Sequence, residues 1–236
     1  MIETPRKVLV FAAHQDDETI GCGATLKKWS LQGSKVKVVF MTNGSPNPIK
    51  NQPPREITKG AHNPFLRMKE AHLATKLLGV NDVETFLDSS TQCLRNDQLM
   101  LHRVIKIIRG FQPDLVLTHC DIDKHRDHKS AFNIVKEACW KAQEDLHPEL
   151  GSQWRVSDIW AFEVSDLLPE VDFVVDVTET FKFKKEAYRK YISQHKLLSS
   201  MHDHIDGLSK VRGSMIGKGK RGEAFTRLSC SPIIIS

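Results

Sequence analysis

The residues that most restrict this chain are Val8-Leu9-Val10-Phe11-Ala12-Ala13, followed at once by His14-Gln15-Asp16-Asp17-Glu18 and then Gly21-Cys22-Gly23. Six apolar residues without alternation suit a strand covered on both faces, which is the condition of a parallel sheet between two helix layers. Such sheets bind ligands in the crevice beyond the carboxyl ends of their strands. A histidine and three acids placed where this strand ends are therefore presented to that crevice. The pattern recurs downstream, where Asp114-Leu115-Val116-Leu117-Thr118-His119 leads into Asp121-Ile122-Asp123-Lys124-His125-Arg126-Asp127-His128. Two strand ends loaded with His and Asp predict one metal site assembled from both.

The remaining pattern predicts strands at 6–13, 35–42, 83–87 and 114–119, alternating with helices at 19–32, 64–78, 96–109 and 127–143. Pro64 opens the second helix behind Asn63 and Gly79 closes it. Beyond Pro148, strands are expected at 155–162 and 171–177, then a helix capped by Asp176 or Thr178 and running to about 196. The tail from 197, polar and with five glycines, gives no clear element. The alternation predicts an α/β fold: a Rossmann-like three-layer sandwich on a mainly parallel sheet with right-handed crossovers, as a single domain over 1–236. The long connection Asn43 to Asn63 is expected to border the crevice. Gly21-Cys22-Gly23 does not match GxGxxG, so a dinucleotide site gains no support.

A formal charge of +5 with 7% aromatics, and no basic stripe, argues against nucleic acid as a partner and only weakly for an anionic one. The five cysteines have no paired spacing. No apolar run approaches the ~20 residues of a membrane helix, and no signal segment precedes the first strand. The expectation is a cytoplasmic protein without an integral membrane segment, with a homo-oligomer left open.

A catalytic zinc takes three protein ligands and leaves a position for water, whose pKa it lowers toward ~7. His14, Asp17 and His128 can supply that set. Asp16, beside a ligand but pointing elsewhere, is placed to take a proton from water. His125 precedes His128 by three residues, so one of the pair can bind metal while the other meets the substrate. Iron(II) or cobalt fits the same donors.

These motifs resemble the LmbE-like, or PIG-L, family of zinc-dependent de-N-acetylases, in which Ala-His-Pro-Asp-Asp-Glu ends one strand and His-Pro-Asp-His follows a later one. Ala13-His14-Gln15-Asp16-Asp17-Glu18 and His125-Arg126-Asp127-His128 stand in those places. Ile20 to Leu26, Arg67 to Ala71 with Leu78-Gly79-Val80, Val174 to Thr178, Arg212-Gly213 and Gly222 to Phe225 are similar to further family features. The resemblance implies metal ligands His14, Asp17 and His128 and a general base Asp16. It also implies that His125 stabilises the transition state or protonates the leaving amine, with Asp127 orienting it. The implied substrate is a small N-acetylated sugar of the N-acetylglucosamine type, or a conjugate of one, with Arg67, Arg212 and Glu223 as candidates for holding it. Gln15 and Arg126 replace the two family prolines.

Plainer readings stand beside these. Acids at 16 to 18 suit a helix start whatever else they do, Arg67 can pair with Glu70, and Arg212 and Glu223 can be structural in the same way. His202 and His204 read as a solvated segment, His119 as a hydrogen-bonding neighbour of the site, and Tyr188 and Tyr191 as helix residues without a catalytic role. Another metal-dependent amide or phosphoester hydrolase, or an inactive sugar- or nucleotide-binding protein, is the alternative function.

Overall fold

The computed structural model describes residues 3–45 and 63–228. Most of the Asn43–Asn63 connection and the last eight residues, with Cys230 and the apolar end, lie outside them. Strand β1 (Lys7–Ala12) leads into helix α1 (Asp17–Leu31), β2 (Lys35–Phe40), α2 (Pro64–Leu78), β3 (Asp82–Thr85), α3 (Gln98–Phe111), β4 (Leu115–His119) and α4 (Arg126–Lys141). Then come β5 (Asp158–Phe162), β6 (Phe173–Asp176), α5 (Phe181–Tyr188), α6 (Ile192–His195), α7 (Met201–Ser214) and β7 (Gly222–Arg227). Among the described residues seven strands form one sheet in the order β3-β2-β1-β4-β5-β7-β6. The first five are mutually parallel, and β7 runs antiparallel to both of its neighbours.

The apolar run of β1 splits by pleat. Val8, Val10 and Ala12 join a core that includes residues of α1, α2 and α5, whereas Leu9, Phe11 and Ala13 join a second core with residues of α3 and α4. This is why the run does not alternate: both faces are dry. The second helix starts where expected, and the third starts at Gln98, two residues later than the expected 96, because a side chain caps each there. Asn63 Oδ1 accepts from Phe65 N and Leu66 N, and Asp97 Oδ1 accepts from Met100 N.

The C-terminal third departs from expectation. The helix expected to reach 196 breaks into α5 and α6, and its start is Phe181 behind Thr180 rather than Asp176 or Thr178. The tail that gave no element holds α7 and β7, so His202 and His204 are helical. These two elements meet through glycines. A Cβ on Gly213 would fall 2.0 Å from the Lys220 carbonyl oxygen, and one on Gly222 would fall 2.9 Å from Gly213 N. A side chain at either position would force backbone apart, so the close approach requires both.

β1 and β4 are parallel neighbours in the middle of the sheet, and the chain proceeds outward from β1 through β2 to β3 on one side and from β4 to β5 on the other, so strand order reverses between them. The loops that follow these two strands therefore flank the switch point, where open α/β sheets bind ligands.

Candidate metal centre

Both His/Asp clusters meet at that switch point. His14 Nδ1 lies 3.2 Å from Asp17 Oδ2, His128 Nε2 lies 3.3 Å from the same oxygen, and the two nitrogens are 3.3 Å apart. Two overlapping groups, His14/His125/His128 and Asp17/His119/His128, hold donor atoms within 4.8 Å of one another. The triangle of His14, Asp17 and His128 takes one residue from each group and His128 from both. Donors about 2.0–2.1 Å from a tetrahedral ion stand about 3.3 Å from each other, which is the spacing of this triangle. Two imidazoles and a carboxylate form a donor set that suits zinc and its first-row neighbours. The residues therefore fit a divalent ion.

Each imidazole is backed by a further carboxylate, the arrangement that fixes ring orientation and raises ligand basicity. His14 Nε2 is 3.0 Å from Asp127 Oδ2, and His128 Nδ1 is 3.0 Å from Asp123 Oδ2. Asp127 is itself held by Gln92 N and Leu94 N. Its carboxylate thus serves His14, not His125 as the sequence reading had it. What His125 receives from Asp127 is the backbone N–H, at 3.2 Å from Nδ1, and that bond caps α4. With Nδ1 committed as an acceptor, a neutral His125 carries its proton on Nε2. Burial, then repulsion by His14 and His128, lowers its pKa and favours that neutral form.

Asp16 has φ 130° and ψ −26°, a backbone region that L side chains rarely adopt. Its N–H donates to Glu18 Oε2 at 3.2 Å, and Glu18 in turn accepts from Tyr191 Oη at 2.7 Å and Thr19 Oγ1 at 2.5 Å. Arg67 Nη2 donates to the carbonyl of Gln15 and lies 3.4 Å from Asp16 Oδ1. Burial raises the Asp16 carboxyl to about 7 against the opposing charge of Arg67, with Asp17 adding repulsion. Burial disfavours charge on Asp17 as well, but His128, His14 and His119 hold it well below the usual carboxylate range. For His128, burial is outweighed by Asp17 and Asp123, and its pKa rises to about 10. His119 accepts from Ala13 N at 2.9 Å through Nε2 and stacks on His128, and burial pushes its pKa down to about 4, so it stays neutral.

A cavity of about 200 Å³ opens onto His14, Asp16, Asp17, Arg67, His125 and His128, with Ile20, Val164, Leu197, Leu198 and Met201 as an apolar wall. Of the three residues expected to hold substrate, only Arg67 lines it. Arg212 forms a two-point pair with Glu163, Nε to Oε1 at 2.9 Å and Nη2 to Oε2 at 2.7 Å. Glu223 accepts from Ala24 N, Thr25 N and Lys184 Nζ, tying β7 and α5 to α1. Both are structural ties away from the cavity. Glu70 binds Ser193 N and Oγ rather than Arg67. Arg126 is exposed. Asp123 is the residue that sequence reasoning passed over. The signal was its place two residues before His125 in an acid-rich loop, but three acids stood there and spacing did not choose among them.

We expect Asp123→Asn to fold normally and to bind zinc about 10- to 100-fold more weakly, the usual cost of losing a carboxylate behind a ligand histidine. Competition titration against a chromophoric chelator measures it, and an unchanged dissociation constant would remove Asp123 from the centre.

The profile of the PIG-L family, described as GlcNAc-PI de-N-acetylase, matches residues 9–139. The 1D-myo-inositol 2-acetamido-2-deoxy-alpha-D-glucopyranoside deacetylase of Streptomyces scabiei is 26% identical over 182 residues, covering 65% of this chain and 54% of that protein. The chain thus spans about half the length of that relative. The N,N'-diacetylchitobiose deacetylase of Pyrococcus horikoshii, solved with an inhibitor, superposes with a TM-score of 0.79 at 24% identity, covering 96% of this chain and 85% of that one. The 4-carboxy-2-hydroxymuconate hydratase GalB of Pseudomonas putida KT2440 superposes at 0.76 with 21% identity, covering 98% of each. One fold thus carries deacetylases and a hydratase, so the reaction has to be argued from the site.

Proposed function

The chain belongs to the PIG-L family, and from that premise we propose that it is a metal-dependent hydrolase removing the acetyl group from an N-acetylated amino sugar of the N-acetylglucosamine type, or from a conjugate of one. The observation that carries the reading is the triangle of His14, Asp17 and His128 opening on the same cavity as Asp16 and His125. The deacetylase names of the Streptomyces and Pyrococcus proteins support it. Zinc is the ion we assign, with iron(II) or cobalt compatible with the same donors.

A divalent ion bound by those three residues would supply Lewis acidity and a water of lowered pKa. The protein side chains do the rest. Asp16, held near neutrality by burial, takes a proton from the attacking water. His125 donates from Nε2 to the carbonyl oxygen as charge develops on it. The C–N bond breaks, the amine leaves with the proton that Asp16 had taken, and acetate remains. Asp127 and Asp123 act one step back, orienting His14 and His128. Arg67 fixes the loop that carries Asp16.

The test is amine release from N-acetylglucosamine, N,N'-diacetylchitobiose and N-acetylglucosaminyl inositol, with zinc-loaded and chelated protein compared. We expect amine and acetate in equal amounts, lost on chelation and restored by zinc. Zinc-loaded protein that hydrolyses a phosphoester but none of these amides would favour the alternative hydrolase.

A further inference from the structure

The backbone of Asp16, at φ 130°, persists only where its surroundings over-determine it. One restraint is the Glu18 carboxylate, whose Oε2 accepts the Asp16 N–H at 3.2 Å. Glu18 is completely buried, and a buried carboxylate keeps one position only when donors hold it. Thr19 Oγ1, its neighbour on α1, donates to Oε1 at 2.5 Å. The other donor to that oxygen comes from 173 residues along the chain: Tyr191 Oη, at 2.7 Å, on a side chain that is also completely buried.

Tyr191 stands immediately before α6 and opens the stretch that walls the cavity, for Gln194, Leu197, Leu198 and Met201 follow it and line the space beside Asp16. Ser193, two residues on, is fastened through N and Oγ to Glu70 of α2, so the stretch has little freedom to move. The phenol itself does not line the cavity. Without its O–H, Oε1 keeps only Thr19, the Glu18 carboxylate is freer to turn, and the Asp16 N–H loses its fixed acceptor. The strained backbone then relaxes and carries the Asp16 carboxylate with it. We propose that Tyr191 is a positioning residue for the reaction: through Glu18 it holds the main chain of Asp16, and with it the carboxylate that takes the proton. The inference rests on the deacetylase reading above. Tyr188, three residues earlier, supplies the comparison, because it is equally buried and its hydroxyl has no hydrogen-bond partner among the described residues.

The test uses zinc-loaded wild type, Tyr191→Phe, Tyr188→Phe and Asp16→Asn with N-acetylglucosamine and N,N'-diacetylchitobiose. Amine release gives kcat and KM, and hydrogen exchange followed by NMR gives the opening of the Asp16 N–H. Tyr191→Phe is expected to keep its zinc and its KM, to lose about 10- to 100-fold in kcat, and to exchange the Asp16 amide about tenfold faster or more. Tyr188→Phe is expected to do neither of the last two. In the Asp16→Asn background Tyr191→Phe should cost nothing further, because the group it positions is gone. Glu18→Gln leaves one acceptor oxygen where two are used; it is expected to act as Tyr191→Phe does, and it carries the same comparison should that variant not fold. Loss of zinc, a loss confined to KM, an equal loss in both backgrounds, or an equal loss from Tyr188→Phe overturns the positioning role while the deacetylase reading stands. If wild type releases no amine from either sugar, that reading falls by itself; the hold of Tyr191 on Asp16 then stands if exchange is faster in Tyr191→Phe and falls if it is unchanged.

Discussion

Asp16→Asn is expected to retain one equivalent of zinc and to bind substrate with little change, while turnover falls by about 100-fold or more. The side chain lies beside the ligand triangle without belonging to it, and burial sets its pKa to about 7, where a group serves well as a base and then returns the proton. Asparagine keeps the shape and loses only the ability to accept that proton. The discriminating readout is the split between kcat and KM together with zinc content. A variant that loses zinc would make Asp16 a ligand, and one that keeps full turnover would leave the reaction without its base. The backbone at Asp16 adds a second expectation of the same change: φ 130° persists, because the clamp from Glu18 and Arg67 acts largely on main-chain atoms.

His128→Ala is expected to lower zinc affinity by more than the 10- to 100-fold assigned to its supporting carboxylate, leaving less than a stoichiometric ion after gel filtration. Retention of a full equivalent would refute the ligand triangle. The wild-type site carries a pH signature of the same assignment. A ligand histidine must give up its proton to an ion, and in the metal-free site His128 is raised to about 10. At pH 7.5 zinc uptake should therefore release at least about one proton, and affinity should rise by about tenfold per pH unit as pH increases toward 10. Calorimetry in buffers of different ionisation enthalpy counts the protons. The sign for stability is opposite. A raised histidine contributes to the metal-free fold below its unfolded pKa of about 6.5, and that contribution is lost as pH climbs through about 10. Metal-free protein should weaken over that window and zinc should offset the loss.

The sheet and the meeting of the two His/Asp clusters at one crevice were legible because their signals are local. An unbroken apolar run means two covered faces, and donors packed directly behind such a run cannot stray from the strand end. What the sequence did not reveal depends on partners far along the chain. Asp127 sits two residues from His125 and in the same motif, yet its carboxylate turns to His14, 113 residues away. Arg212 and Glu223 carry the residue types of a substrate site, but Glu163 and the α1 backbone claim them first. The tail hid α7 and β7 because its glycines obscure any periodicity, while two of them, Gly213 and Gly222, let the helix and the strand touch. Gln15 registered only as a departure from proline. Its contacts, an amide donated to the Thr42 carbonyl and a main-chain carbonyl taken by Arg67, come from residues that only the folded chain brings beside it.

The position of β7 also shapes how this protein is made. Its strand lies between β5 and β6 in the sheet, but its residues are translated after both. The exposed edge of β5 at Trp160–Phe162 waits for Phe225–Arg227, and Thr25 N waits for a carboxylate 198 positions later. At roughly 5–20 residues per second of synthesis, the β5 edge stays unpaired for several seconds. An unpaired strand edge is a template for another chain. This edge is therefore open while the chain is being made and closes only when β7 takes its place between β5 and β6.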